Sequence, residues 1–129
     1  MVESKEQTAA EADDEVLGLG GLAVFNKPGA LATLDDDEEF LLELLEVFKE
    51  ISPPQLEDLA AAMAAADWGV AERLAHTFKS MTLNLGAERF RTVAGKMEKA
   101  VAAQDFELAK RFHAALLDEY RGFMGAIGG

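Results

Sequence analysis

The sequence predicts an all-α protein: an antiparallel up-down-up-down four-helix bundle with an additional N-terminal helix. From residue 34 onward, apolar residues recur every three or four positions, and helix-capping residues separate these periodic segments. No segment alternates apolar and polar residues as a half-buried strand does. The turns between the last four predicted helices are short, and short connections make neighbouring helices antiparallel.

The chain divides into an N-terminal lead-in, residues 1–32, and a helical bundle, residues 33–129. The lead-in mixes acidic residues with glycines that interrupt any long periodicity, so we expect it to be partly ordered, with a short docked helix. Its apolar residues are expected to form that helix or a strip that packs on the bundle: Val16, Leu17, Leu19, Leu22, Val24 and Phe25.

A double proline separates the next two predicted helices. Asp35 and Glu38 resemble a capping box ahead of an apolar run, which predicts a helix over about 35–51 that packs at one end or along one side of the bundle. Ser52 and Pro53 then predict a new helix start, with serine as the cap and proline in the first turn. This second helix continues through an alanine-rich segment with high helix propensity.

The last three helices have well-marked boundaries. Asp67 is the predicted cap of a helix over about 68–85, and Gly86 is expected to end that helix as a left-handed glycine. A helix over about 87–103 follows. Asp105 is the predicted cap of the last helix, which ends in a glycine-rich C-terminus.

The composition argues against several classes of function. The chain has no cysteine, which excludes disulfides, thiolate zinc sites and iron–sulfur clusters. Its 24 acidic and 12 basic residues give a net charge of −12, which argues against nucleic-acid and membrane-surface partners. With no signal-peptide pattern and no apolar run near the ~20 residues of a membrane span, we expect a cytoplasmic protein. The motifs of nucleotide-binding loops are missing, so no kinase activity of its own is expected.

One histidine lies on a helix face that core packing does not explain. On a helical wheel of residues 68–85, Leu74, Phe78, Met81 and Leu85 share the predicted core sector, and His76 is nearly opposite its centre. The residues predicted to lie beside this histidine on the outer face are Glu72, Lys79, Ser80 and Leu83.

These neighbours suit a histidine that accepts a phosphoryl group from a partner. Such a residue must be accessible, and Lys79 is placed for its ammonium group to pair with phosphate oxygens. Ser80 is small and keeps the approach open, while Leu83 begins an apolar docking surface. We expect exposed apolar residues of the 35–51 helix to extend that surface, such as Leu41, Leu45 or Phe48.

The segment Leu74-Ala-His-Thr-Phe-Lys-Ser-Met-Thr-Leu-Asn-Leu-Gly-Ala87 resembles the signature of histidine-containing phosphotransfer (HPt) domains, in which His-x-x-Lys-Gly precedes Asn-Leu-Gly-Ala. The similarity extends over about residues 34–124. It implies that His76 is the phosphorylated residue and that Lys79 stabilises the phosphate. Ser80 stands where the family usually has glycine, and at this close-approach position serine is expected to slow transfer or narrow the choice of partner.

The resemblance implies a phosphorelay intermediate, expected to be a monomer. His76 would accept a phosphoryl group from the aspartate of a receiver domain, in a hybrid histidine kinase or a response regulator, and pass it to another receiver. The Mg²⁺ of this reaction belongs to the receiver, so no cofactor is expected in this chain. The alternative is a non-catalytic helical bundle that docks a response regulator or another helical partner without phosphotransfer, a hypothesis that Ser80 slightly favours.

The second histidine, His113, is expected to be a surface or boundary residue of the last helix, because it has no neighbour placed as Lys79 is placed beside His76. A metal shared by the two histidines is not expected, since the chain has no Glu-x-x-His pair of the kind that di-iron bundles use.

Overall fold

The structure, a computed structural model, describes residues 17–128. These residues form five α-helices and no strand: α1 Lys27–Thr33, α2 Glu38–Ala64, α3 Trp68–Met81, α4 Glu88–Ala102 and α5 Phe106–Ala126. Helices α2 to α5 make up the four-helix bundle, and α1 is the additional N-terminal helix. The predicted fold class is therefore confirmed.

Helix α2 is one helix where the sequence predicts two. It runs through Pro53 and Pro54 without a break, so the predicted helix end near residue 51 and the predicted restart at Ser52 are wrong. Each proline removes a backbone N–H and crowds the carbonyl one turn earlier, at a cost of ~3 kcal/mol in a helix interior. Both prolines are exposed, so water can reach the carbonyls that lose their partners.

Core packing on both sides of the prolines accounts for the continuous helix. Ser52 is a fully buried residue rather than a cap, and its Oγ shares a hydrogen bond of 2.9 Å with the Tyr120 hydroxyl on α5. Phe48 and Leu56, one turn on either side of Ser52, are buried on the same face. The buried stripe thus crosses the prolines, and its burial stabilises the helix against their cost.

The start of α2 also differs from the prediction. Asp35 and Asp36 adopt left-handed backbone conformations, with φ of 54° and 60°, so the predicted capping box of Asp35 and Glu38 is wrong. Asp37 is the cap, and its side chain accepts a hydrogen bond of 3.0 Å from the backbone N–H three residues on. Glu38 and Glu39 follow in the first turn, where they interact favourably with the helix dipole.

The turns α2–α3 and α4–α5 are built alike. Ala66 and Gln104 adopt left-handed conformations, with φ of 56° and 61°, immediately before the aspartates that cap the next helices. Asp67 and Asp105 each accept a hydrogen bond from a backbone N–H three residues on, so both predicted caps are confirmed. These short turns reverse the chain and set neighbouring helices antiparallel.

Helix α3 ends at Met81, one turn before the predicted end, and a turn over residues 82–86 follows. Gly86 has a φ of 72°, so its predicted left-handed conformation is confirmed. Its carbonyl accepts a hydrogen bond of 2.8 Å from the Asn26 N–H, and a Cβ on Gly86 would lie 2.4 Å from the Asn26 carbonyl oxygen. Glycine therefore allows both the turn and the close approach of the N-terminal segment.

The N-terminal segment packs on the bundle through its apolar residues. Four of the predicted apolar residues are buried in the core or packed against it: Leu17, Leu19, Leu22 and Phe25. Val24 is exposed, contrary to expectation, and Val16 lies outside the described residues. Within the described residues, a short helix, α1, begins after this strip.

Aromatic rings from all four bundle helices meet in the core. The Phe48 ring on α2 contacts Phe90 on α4 and Phe123 on α5, with ring centroids 6.0 and 5.5 Å apart. Phe78 on α3 contacts Phe90 at 5.6 Å. All three pairs are edge-to-face, a geometry that restricts how neighbouring helices slide past one another.

Among the described helices, none is both long and apolar enough to cross a lipid bilayer.

Candidate functional site

His76 lies on the outer face of α3, as predicted, with 56% of its side chain exposed. Ala75 and Phe78, on the opposite side of the helix, are fully buried. Leu74 and Met81 are only partly buried, so the core face of α3 is turned slightly from the predicted sector. This rotation leaves the imidazole in solvent, close to the edge where α3 packs against α4.

Glu98 on α4 binds both His76 and Lys79. Its Oε2 lies 2.7 Å from His76 Nδ1, and its Oε1 lies 3.0 Å from Lys79 Nζ. Sequence reasoning missed Glu98, which is 22 residues from the histidine along the chain and is one of 24 acidic residues. Glu98 reaches the site only because of the register in which α4 packs against α3. Helical periodicity in the sequence does not predict that register.

The ionisation of Glu98 determines which nitrogen of His76 is free. Burial alone would raise the Glu98 pKa, but hydrogen bonds from Lys79 and His76 and the nearby positive charge outweigh it, so the pKa lies below its ordinary value. An ionised carboxylate has no proton to donate, so Nδ1 of His76 is the donor. In the neutral ring the lone pair is then on Nε2, which receives no hydrogen bond from any residue that the structure describes.

Lys79 lies across a glycine of the neighbouring helix. A Cβ on Gly95 would be 3.2 Å from Lys79 Cδ, so the aliphatic part of the lysine fills the space that a side chain would occupy on α4. The ammonium group is held at the site by the carboxylate that also binds His76. An anion on the imidazole would therefore have a positioned cation as its neighbour.

The model of the Hpt domain family matches residues 43–123, which is more than half of the 129-residue chain and includes His76, Lys79 and Glu98. The chain belongs to the Hpt domain family. Hpt domains take part in histidine phosphotransfer in phosphorelays, act as intermediates rather than kinases, and interact with receiver domains. No curated protein and no solved structure matches the chain at a significant level.

The prediction that Leu41, Leu45 or Phe48 on α2 of this Hpt domain is exposed and extends the docking surface is wrong. Leu41, Leu45 and Phe48 are buried because they face the core of the bundle. Leu83, in the turn after α3, is 55% exposed, and Ser80 is exposed as well, so the expected exposure of both residues is confirmed.

A different set of α2 residues forms an apolar surface, which we call the α2 stripe. Its members recur one turn apart along a single face, and all are exposed except Leu44, which is partly buried: Phe40, Leu44, Val47 and Ile51. A groove of about 130 Å³ lies between this stripe and the far wall formed by Met81, the last residue of α3, and Leu85 in the turn that follows. The Hpt domain thus has an apolar surface on α2, adjacent to the end of the histidine helix.

The other candidate residues do not add to the site. His113 on α5 is partly buried, as a boundary residue, and it is not a partner of His76. Burial lowers the pKa of His113, whose Nε2 is buried without a hydrogen-bond partner among the described residues. Within residues 17–128, no group of three or more histidine and carboxylate side chains is arranged to hold a metal ion.

Proposed function

We propose that this Hpt domain accepts a phosphoryl group on Nε2 of His76 from the aspartyl phosphate of a receiver domain, and passes it to the aspartate of another receiver. The observation that supports this is the exposed imidazole of His76, whose Nδ1 is bound by the ionised carboxylate of Glu98. A nucleophile in this tautomer is ready to react without first losing a proton.

The transfer step requires no general base from this chain. The Nε2 lone pair attacks phosphorus in line, a P–N bond forms, and the bond from phosphorus to the receiver's aspartate oxygen breaks, leaving its electrons on the aspartate carboxylate. Nδ1 keeps its proton, and the ring becomes positively charged. Glu98 stabilises that charge, and the reverse reaction delivers the phosphoryl group to the next receiver.

Glu98 and Lys79 have different roles in this proposal. Glu98 is a positioning residue that fixes the ring and its tautomer through Nδ1. Lys79 stabilises the phosphoryl group, because its ammonium carries three donors and Glu98 takes only one of them. Mg²⁺ and the carboxylates that bind it belong to the receiver, so this domain supplies the nucleophile, the cation and a docking surface.

The α2 stripe and Leu83 are the apolar part of that docking surface. They supply exposed apolar area beside the histidine helix, and such area marks interaction sites. Ser80, where the family usually has glycine, is exposed on the His76 face, so its hydroxyl would meet the docked receiver.

The test is intact-mass analysis after incubation with a receiver domain, Mg²⁺ and phosphoramidate. Wild type should gain one phosphoryl group that is labile in acid and stable in base, whereas His76→Gln should fold normally and gain none. His113→Gln is the matched control and should be phosphorylated like wild type. A phosphoryl adduct on His76→Gln, or its loss in His113→Gln alone, would show that His76 is not the acceptor.

The second candidate function is a binding module without phosphotransfer, which Ser80 favours because it replaces the usual glycine at the close-approach position. This candidate requires that His76→Gln keep both the affinity for the partner and the biological effect. Wild type without any adduct across several receivers, followed by an adduct in Ser80→Gly, would show that the serine is what prevents transfer.

A further inference from the structure

A groove beside the phosphotransfer site is lined by cations. Its volume is about 280 Å³, and its lining residues are Lys79, Arg91, Thr92, Gly95, Lys96 and Lys99. No carboxylate lines it, although the chain has twice as many acidic as basic residues. We call this surface the α4 basic groove, since every lining residue except Lys79 belongs to α4.

Except for Lys79, the cations of the α4 basic groove have no carboxylate partner among the residues that the structure describes. Lys96 and Lys99 form no ion pair with any residue that the structure describes, whereas each of the other described lysines pairs with a carboxylate: Lys27, Lys49, Lys79 and Lys110. Arg91 is likewise exposed and unpaired among the described residues.

The local sequence explains why these lysines are unpaired. On α2 and α5, Lys49 and Lys110 each have a glutamate three residues earlier and pair with it. The position three residues before Lys96 is Val93, and the position three residues before Lys99 is Lys96 itself. Neither residue is acidic, so the i, i+3 pairing seen at Lys49 and Lys110 is not available to these two lysines.

The groove is continuous with the phosphotransfer site. Lys79 forms one wall of it and also binds the carboxylate that holds His76, and Lys99 directly follows Glu98 in α4. A standard protein interface covers about 800 Å² on each partner. A domain docked over His76 would therefore extend over the groove.

Charge favours an acidic protein surface as the occupant. This chain has a net charge of −12, so an acidic protein surface would be repelled on approach unless it met a local positive surface such as this groove. The groove is shallow and open along one helix, and Arg91 and Lys99 are spaced along it by about 12 Å at the helical rise. Such spacing matches carboxylates distributed along a protein edge rather than one small anion.

We infer that the α4 basic groove recognises a carboxylate-rich edge of the receiver domain, and so selects receivers that present such an edge beside their aspartyl phosphate. The inference rests on the proposed function, because it names the partner surface of the same site. The α4 cations of the groove, Arg91, Lys96 and Lys99, speed the encounter and hold the docked receiver, and they take no part in the chemical step.

The test compares two charge reversals with the same net charge. Arg91→Glu with Lys99→Glu changes the groove, and Lys110→Glu with Arg111→Glu changes exposed positions on α5; each variant has a net charge of −12 − 4 = −16. With a receiver that has been phosphorylated by phosphoramidate, the groove variant should accept the phosphoryl group about tenfold more slowly than wild type at low salt and low receiver concentration. The difference between the two rates should shrink as the salt concentration rises. The control variant should differ from wild type by less than about twofold under the same conditions. Equal rates for the two variants would overturn the inference.

Two further measurements separate this inference from the proposed function. Affinity for the unphosphorylated receiver, measured by calorimetry, should fall in the groove variant alone, and this holds even where wild type forms no phosphohistidine. Equal affinities of both variants would overturn the groove assignment while leaving phosphotransfer at His76 intact. Titration with tripolyphosphate should give only weak, millimolar binding; micromolar binding in the groove would overturn the assignment to a protein edge in favour of a small anion.

Discussion

Replacing Glu98 by glutamine separates the charge of this side chain from its shape. The amide has one oxygen and one NH2 group in place of two carboxylate oxygens. Its oxygen can accept a hydrogen bond from Nδ1 of His76 or from the ammonium of Lys79, but it cannot occupy both carboxylate oxygen positions. Its NH2 group cannot accept a hydrogen bond from either residue. The arrangement with two short contacts of 2.7 and 3.0 Å therefore loses one of them.

The size of the effect follows from these contacts. A hydrogen bond to a charged group contributes about 1.5–3 kcal/mol and a neutral one about 0.5–1.5 kcal/mol. The substitution therefore weakens the interaction that holds the imidazole ring by about 1–1.5 kcal/mol. His76 is 56% exposed, and solvent screening moves the value towards the lower end. Since about 1.4 kcal/mol corresponds to a tenfold change in rate, Glu98→Gln should slow phosphotransfer by about fivefold. Glu98→Leu removes both acceptors and should slow it by about 10- to 50-fold.

The assay is single-turnover transfer from a phosphorylated receiver at saturating receiver concentration, where docking no longer limits the rate. Nitrogen NMR of the imidazole adds a measurement that a merely structural role would not change. In wild type, Nδ1 of His76 should carry the proton, and in Glu98→Leu the population should shift towards protonated Nε2. Glu72→Gln, the same chemical change one turn from the histidine on α3, should leave rate and spectrum unchanged.

Two results would refute this reasoning. Equal transfer rates for wild type and Glu98→Leu would show that the carboxylate does not position the nucleophile. An unchanged tautomer in Glu98→Leu, despite a slower rate, would show that the carboxylate acts on Lys79 rather than on the ring.

Three predictions concern stability. Burial lowers the His113 pKa, so the unfolded chain binds a proton more readily than the folded chain, and the free energy of unfolding should fall as pH drops below 6.5 towards the lower folded-state pKa. In urea unfolding, His113→Leu should lose that part of the pH dependence. If the free energies of unfolding of wild type and variant changed in parallel with pH, the prediction would be contradicted. Gly86→Ala should cost about 2 kcal/mol or more, since its φ is 72° and the new Cβ meets the Asn26 carbonyl oxygen; an unfolding midpoint equal to wild type would contradict this close approach. Tyr120→Phe should cost about 1–2 kcal/mol, and the double variant with Ser52→Ala should cost less than the sum; strict additivity would argue against the shared hydrogen bond.

Local signals in the sequence were sufficient for the start of α3, for the approximate boundaries of the last two helices and for the exposure of His76. Asp67 and Asp105 act within one turn of their own positions, so their role depends only on neighbouring residues. The exposure of His76 follows from a core sector that occupies one side of α3. Such features need no knowledge of which helix packs where.

The remaining features depend on contacts between distant segments. Ser52 has the local pattern of a cap, but its burial against Tyr120 keeps α2 continuous through the prolines. Glu98 reaches His76 because α4 packs against α3 at Gly95, where the missing side chain makes room for Lys79. Neither contact leaves a pattern in the segment where it acts.

The α2 stripe shows why the docking residues were misassigned, and it provides the last prediction. Helix α2 has two neighbouring apolar faces, one that includes Phe48 and one that includes Val47, and helical periodicity alone does not show which face enters the core. Because Phe48 is buried and Val47 is 49% exposed, Phe48→Ala should lower the free energy of unfolding by about 3–5 kcal/mol, whereas Val47→Glu should leave it nearly unchanged. Val47→Glu should instead weaken receiver binding by about tenfold, as expected for a residue at a docked apolar surface. Unchanged affinity in Val47→Glu, with normal folding, would place the docking surface away from the α2 stripe, on the His76 face and the α4 basic groove alone.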